Sequence, residues 1–456
     1  MTTGLDPVSE SLMRWIQQQT DARIADYQMA RLYYSGDHDT ALTDRLRKFL
    51  PPRLQFRDNF MNVVVDSLVE RLSILGFEVE NETISSWIGE VWARNRMDYL
   101  QTVVHTEAVM LGDSYLLCDW DALNERPRWT HKMAEMIVPH YDEDTRQINW
   151  ASKKWLYRPE IGSEPETRLN LYYPDRVEKY VARGGVWARF AEPEESWPVP
   201  WVDSAGEPMG VPLIHFRNRP MGTDFGQSEI LNVIPMQDLL NKTLIDLTMI
   251  LDTLAFPQRY TLNVNHGSSR LDVMPGSVTE FHREYDGGSV GQWSAATVDG
   301  PLRSIETLVQ HIAGTTRTPQ HLFQIAGGTP SGEALKTAES GLVNKAKQRM
   351  VNFGNAWEDA LMLALRIQKV FGASLPDVEE GAIQTTWDDP ETRNEQAHLE
   401  SLKAKLELGI TKHQLWREMG YTQEQIDQMD EDNTQERASE TNIGAEILRN
   451  FQAGTI

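Results

Sequence analysis

The longest uninterrupted hydrophobic pattern in the chain runs from Glu333 to Phe371. Leu335, Ala338, Leu342, Ala346, Met350, Phe353, Trp357, Leu361, Ala364 and Ile367 fall three or four residues apart, which puts them on one stripe of one helix. Such a helix is about 57 Å long at ~1.5 Å per residue. Directly before it stands QIAGGTPSG, residues 324–332. Gly327, Gly328 and Gly332 free the backbone for positive φ, Thr329-Pro330 stiffens one bend, and Ser331 is placed to cap the helix. The pattern predicts a glycine-rich loop carried on a rigid strut.

Upstream, helical spacing predicts Ser9–Tyr34, stopped by Gly36, and Phe60–Leu75, stopped by Gly76. It also predicts Ile84–Arg94 after the capping stretch NETIS, and Leu100–Leu111, closed by Gly112. The period then shifts towards two. Tyr115–Trp120, Gln147–Leu156, Leu169–Tyr173, Val177–Val181, Val186–Phe190 and Leu213–Phe216 read as antiparallel strands, with Gly184-Gly185 as a two-residue hairpin turn. From Gly226 to Leu254 the helical period returns, and Pro235 either kinks this helix or begins its main segment. Ala255–Gly300 is a small β excursion with candidate strands Gln258–Asn263 and Ser277–Phe281, after which Pro301 reopens a helix over Leu302–Thr316. Past the strut, Glu391–Leu408, Thr411–Met419 and Thr422–Met429 read as short helices, the last opened by the capping box TQEQ. The expected class is α+β, mainly helical with a β-rich middle.

Composition narrows the function. A chain of 456 residues with 40% hydrophobic positions can bury two or three domain cores. Its formal charge of −23 argues against a protein that grips nucleic acid over its whole surface, because phosphate neutralisation needs a basic footprint. The stretch 388–440 is the most acidic, with 14 Asp and Glu against 6 Lys and Arg. The single cysteine, Cys118 in SYLLCDW, rules out an internal disulfide and reads as a buried small hydrophobe. There is no apolar run of membrane-spanning length and no signal-peptide pattern in MTTGLDPVSE, so a soluble cytosolic chain is expected. Fourteen tryptophans favour an oligomer.

Candidate chemistry is sparse. Two glycines five apart before a helix have the outline of a phosphate-binding loop, but Glu333 stands where the lysine belongs and repels phosphate. No dinucleotide fingerprint, HExxH, paired CxxC or G-x-S-x-G elbow is present, and neither cofactor nor metal is expected. Asp37, His38 and Asp39 are adjacent metal-capable residues better read as a polar helix-end turn, and Asp142, Glu143 and Asp144 as an acidic turn between strands. Lys345, Lys347 and Arg349 form a basic patch, read as a solvated face or as contacts to a phosphate backbone or an acidic neighbouring subunit. Lys242 and Arg303 on the helical hairpin are further contact candidates. A metal-dependent phosphodiesterase or nuclease built on Asp37 and Asp39, and a virion adaptor or scaffold, stand as alternative functions.

Four stretches together resemble the portal proteins of tailed bacteriophages: YYSGD at 33–37, NFMNVVVDSLVERLSILGF at 59–77, GQSEI at 226–230 and TPQHLFQIAGGTPSGEALK at 318–336. The resemblance implies a ring, usually of twelve subunits, with wing, stem, clip and crown around a DNA channel. It assigns 1–225 to the wing, 226–254 and 301–318 to stem helices, 255–300 to the clip, 319–332 to the tunnel loop, 333–385 to the long wing helix and its return, and 386–456 to the crown. Gln324, Ile325, Ala326, Gly327, Gly328, Thr329, Pro330 and Ser331 would line the channel's narrowest part. The implied partners are double-stranded DNA passing without sequence readout, the terminase large subunit, a head-completion or adaptor protein, and major capsid and scaffold proteins. The location implied is the capsid vertex, after assembly in the host cytoplasm, with no enzymatic role. The clip departs from a clean pattern, since its strands are poorly alternating.

Overall fold

A computed structural model describes residues 7–39, 58–158, 163–192, 195–255, 259–262, 289–292, 297–323, 332–379, 381–391, 403, 405–418, 426 and 428–430. The 40-residue helix Gly332–Phe371 organises it. Along its stripe, Leu342, Ala346, Met350, Phe353, Trp357, Leu361, Ala364 and Ile367 are buried, whereas Ala338, near the loop, is exposed. Trp357 is the keystone. Its ring lies 4.7 Å from Phe216 and 5.3 Å from Trp92, and its Nε1–H donates to His105 Nε2 at 2.9 Å.

In chain order the first elements are α1 (Pro7–Ser35), α2 (Met61–Val69), β1 (Ile74–Glu78), α3 (Glu82–Arg94) and α4 (Met97–Leu111). Gly36 and Gly112 terminate α1 and α4 with φ of +75° and +100°, a conformation that favours glycine. Asn81 caps α3 by accepting from the Thr83 and Ile84 amides at 3.0 and 3.2 Å. The expected helix from Phe60 to Leu75 is corrected: it ends at Val69, and Ile74–Glu78 is a strand. That strand pairs antiparallel with β13 (Gln384–Trp387). A partner about three hundred residues away overrides a local period that Leu68, Leu72 and Leu75 share with a helix.

The middle is built of antiparallel sheets. The first has the order β10 (Leu213–Arg217), β2 (Asp113–Asp121), β3 (Arg126–Lys132). The second runs β4 (Ile137–Tyr141), β5 (Ile148–Tyr157), β6 (Glu166–Tyr172), β7 (Arg176–Arg183), β8 (Val186–Arg189), with β9 (Val199–Pro200) also on β7. β3 and β4 escape the alternation pattern because each is an edge strand carrying a proline, Pro127 and Pro139, and edges tolerate the missing donor. Gly184 and Gly185, both at positive φ, turn β7 into β8 as the spacing predicts.

A 3₁₀ turn, Leu231–Val233, leads into α5 (Ile234–Ala255). Pro235 therefore sits in the helix's opening turn, where a missing amide donor costs nothing. The 226–230 part of the predicted helix is not helical. β11 (Arg259–Leu262) and β12 (Ser289–Gln292) pair antiparallel, so the first predicted strand of the excursion is present and its partner is 289–292. The predicted strand 277–281 lies outside the described residues. α6 (Asp299–Thr316) returns alongside α5, the helix Gly332–Phe371 is α7, and α8 (Lys412–Glu418) follows Thr411. Most of the predicted helices 391–408 and 422–429 fall outside the described residues.

Candidate functional site

Residues 324–331 lie outside the described residues; both of their flanks are described. On the near side, α6 ends at Arg317 in the left-handed region, φ +54°, and Thr318 N–H donates back to the Ala313 carbonyl at 3.0 Å. The 3₁₀ turn Gln320–Phe323 follows, with Phe323 buried edge-on against Phe60 at 5.3 Å. On the far side α7 begins. Glu339 in its second turn takes Arg71 Nη2 at 3.0 Å and lies 3.4 Å from His321 Nε2. One buried carboxylate thus joins the segment before the loop, the helix after it and the end of α2.

Deeper, a second buried carboxylate ties the same parts together. Glu229 accepts from Lys345 Nζ at 3.1 Å, Arg349 Nη2 at 2.6 Å and Asn218 Nδ2 at 3.0 Å. Lys345 also donates to the Thr316 carbonyl at 2.8 Å, and Arg349 Nε to Asn218 Oδ1 at 2.6 Å. Burial alone would raise the Glu229 carboxyl, but Lys345 and Arg349 outweigh it and lower it to about 2. The basic patch is therefore corrected. Lys345 and Arg349 face neither solvent nor a partner: both are buried and committed to Glu229. Lys347 is exposed and pairs with Glu391 at 3.2 Å. Lys242 and Arg303 are exposed on α5 and α6, with no ion pair among the described residues.

Glu229 is placed by GQSEI, whose backbone is wedged against the first sheet. Gly226 N–H donates to Asp113 Oδ1 at 2.7 Å, Ser228 Oγ to the Met110 carbonyl at 2.6 Å, and Glu229 N–H to the Val109 carbonyl at 3.1 Å. A Cβ on Gly226 would stand 2.0 Å from the Gly112 carbonyl oxygen, so only glycine fits. Asp113 itself accepts from Tyr27 Oη at 2.7 Å, Arg23 Nη2 at 2.5 Å and His215 Nε2 at 2.9 Å. Nothing in the local pattern marks Asn218, Asp113 or Glu339, because their partners are distant in sequence.

The remaining candidates are structural where they are described. His38 is fully buried, stacked on Tyr33 with ring centroids 4.2 Å apart and hydrogen-bonded to Asn241. Asp142 accepts from the Asp144 and Thr145 amides and shapes the β4–β5 turn. Cys118 is buried, and burial first, then Asp119, pushes its thiol up. Among the described residues no three His, Cys, Asp or Glu side chains group as a metal site, and no helix is long and apolar enough to cross a membrane.

The pattern of the family described as "Phage portal protein, SPP1 Gp6-like" matches residues 13–439, nearly the whole chain. The chain belongs to this phage portal family. As a portal protein it is a structural, capsid-associated component of a virion, with the α+β portal fold. It is similar to the portal protein of Mycobacterium phage D29, 24% identical over 355 residues that cover 73% of this chain and 69% of the relative. The portal protein of Mycobacterium phage L5 is 25% identical over 353 residues, with the same shares. Among solved structures, a chain of "Virion of native gene transfer agent (GTA) particle" aligns at a TM-score of 0.43 and 12% identity, over 77% of this chain and 86% of that one.

Proposed function

We propose that copies of this portal chain form a ring, twelve in number, through which double-stranded DNA passes during packaging and ejection. In this reading α5 and α6 are the stem, 255–300 is the clip that docks the terminase large subunit and later a head-completion or adaptor protein, and 324–331 lines the constriction. Major capsid and scaffold proteins surround the ring at the vertex, which is built in the host cytoplasm. The chain contributes no catalysis; energy comes from the motor's ATPase. The domain limits 1–225, 226–254, 255–300, 301–318, 319–332, 333–385 and 386–456 belong to the same proposal.

One observation carries it: the glycine-rich stretch 324–331, which bears no basic side chain, stands between two segments that meet each other, with His321 beside Glu339 and the Thr316 carbonyl on Lys345 of the 40-residue helix. Such a loop can bend towards a passing duplex without reading bases or gripping phosphates, while its base stays put. The chain's negative charge acts in the same direction, since a basic lining would add attraction at every phosphate.

Native mass measurement with end-on imaging of purified particles tests the ring. Twelve-fold closed particles are expected, and a stable monomer within assembled capsids would overturn the reading. Deleting Gly327–Thr329 should leave rings intact and reduce packaged or retained DNA; unchanged packaging removes the loop from the mechanism.

A further inference from the structure

Lys132 and Lys153 stand on the facing sides of the two sheets. Register sets Lys132 opposite Tyr115, Thr130 opposite Leu117 and Arg128 opposite Asp119, so all six share one face of the first sheet. His215 is on that face, opposite Tyr115, and its Nδ1 accepts from Tyr141 Oη of the second sheet at 2.7 Å. The face therefore looks onto the second sheet.

On that second sheet, Trp150 packs against Trp15 of α1 with centroids 5.6 Å apart, and Lys154 bonds Gln17 of the same helix. Lys153, between them in alternation, must point the other way, towards the first sheet. Its ammonium lies 4.1 Å over the Trp155 ring, which holds it in place.

The local charge does not balance. Asp119 is engaged by Arg128 through two hydrogen bonds, 2.9 and 2.7 Å. Among the described residues, neither Lys132 nor Lys153 has a carboxylate within 4.0 Å. Burial first, then the charge of Lys132, lowers the Lys153 ammonium to about 8, with Asp119 acting in the opposite direction. Burial also lowers Lys132, and Arg128 adds to it against the pull of Asp119. Two half-buried ammoniums thus stand on facing sides of the two sheets in a chain that carries 67 acidic and 44 basic residues.

We propose that Lys132 and Lys153 receive a carboxylate side chain of a second copy of this chain, forming a salt bridge between neighbouring wings; this rests on the ring reading above. Facing copies of a −23 chain repel unless some acids find cations. Half-buried cations without a partner favour that pairing more than solvated ones, because their attraction to an incoming charge is screened less. A duplex fits these lysines poorly, since Asp119 shares the face of Lys132 and phosphate neutralisation needs more than two lysines.

The test is residue-resolved reductive methylation of the full chain at pH 8, comparing dissociated subunits with rings by peptide mass mapping. Ring formation should slow the labelling of Lys132 and Lys153 at least tenfold, while exposed lysines away from the interface keep their rate. Zero-length carbodiimide coupling of rings mixed from isotopically light and heavy subunits should link Lys132 or Lys153 to an acid of the other copy. The double change Lys132→Met and Lys153→Met should lower the denaturant concentration at which rings dissociate while leaving the subunit's melting temperature unchanged or higher. Equal labelling in rings and subunits overturns the inference and leaves the ring standing. Protection of subunits by millimolar phosphate, with no further effect of assembly, also overturns it in favour of an inorganic anion. Failure to form rings under any condition instead removes the reading on which it rests.

Discussion

Nε2 of His321, three residues before the 324–331 stretch, lies 3.4 Å from Oε1 of Glu339 in the second turn of the helix that follows it. Arg71 Nη2 reaches the other oxygen of the same carboxylate at 3.0 Å, and its Nη1 the Pro390 carbonyl at 2.5 Å. Glu339 thereby makes one closure of the segments that flank 324–331, reaching the end of α2 and the chain beyond β13.

Removing this closure should loosen the loop before it unfolds the protein. Glu339→Ala leaves Arg71 with a lost ionic partner, at a cost of about 1–3 kcal/mol. The expected result is faster limited proteolysis within 324–331 and a lower melting temperature, with far-ultraviolet circular dichroism unchanged at room temperature. Equal cleavage rates in variant and parent would show that the His321–Glu339 contact does not restrain the loop.

Glu229 should be far more costly. Glu229→Gln leaves Lys345 and Arg349 buried without a counter-charge, a change worth about 3–5 kcal/mol. Chemical denaturation reads this directly. The sign of the pH effect follows from the lowered carboxyl. Its ordinary value is 4.5 and its folded value about 2, so the stabilisation is full above pH 4.5 and is lost as pH falls towards 2. The Glu229→Gln variant should lack that portion of the acid limb.

His105 contributes to acid sensitivity at higher pH. It is fully buried, its Nδ1–H donates to the Leu72 carbonyl at 3.1 Å, and Nε2 accepts from Trp357, which defines a neutral ring. Burial lowers it from 6.5 to about 3, the Leu72 carbonyl only partly opposing this. Here the unfolded chain takes up the proton first, so stability falls as pH drops from 6.5 towards 3, at up to about 1.4 kcal/mol per pH unit. His105→Gln should flatten this limb in a denaturant series at stepped pH.

Glycine substitutions should separate contact from propensity. Gly226→Ala drives a Cβ into the Gly112 and Asn218 backbones and is expected to abolish soluble expression. Gly314→Ala, in α6 with nothing within 4 Å of the added carbon, should stabilise by about 0.5–1 kcal/mol. The yield of soluble protein decides the first and the melting temperature the second.

The sequence by itself determined the elements whose cause is local. The stripe from Leu342 to Ile367, the glycine stops at Gly36 and Gly112, the Gly184-Gly185 turn and the Asn81 cap need only neighbouring residues, and each is present. Four short stretches were also enough to point to the portal family. Tertiary structure alone decided what depends on distant partners. Ile74–Glu78 became a strand because Gln384–Trp387 offered it a ladder. Lys345 and Arg349 had the look of a solvated basic patch, yet their counter-charge, Glu229, sits 116 and 120 residues away. A helical period reports which face is apolar, but a charge on the boundary of that face goes inward or outward according to whether folding brings it an opposite charge. Here folding supplied one for Lys345 and Arg349, which became a buried knot with Glu229, while Lys347 stayed outside with Glu391.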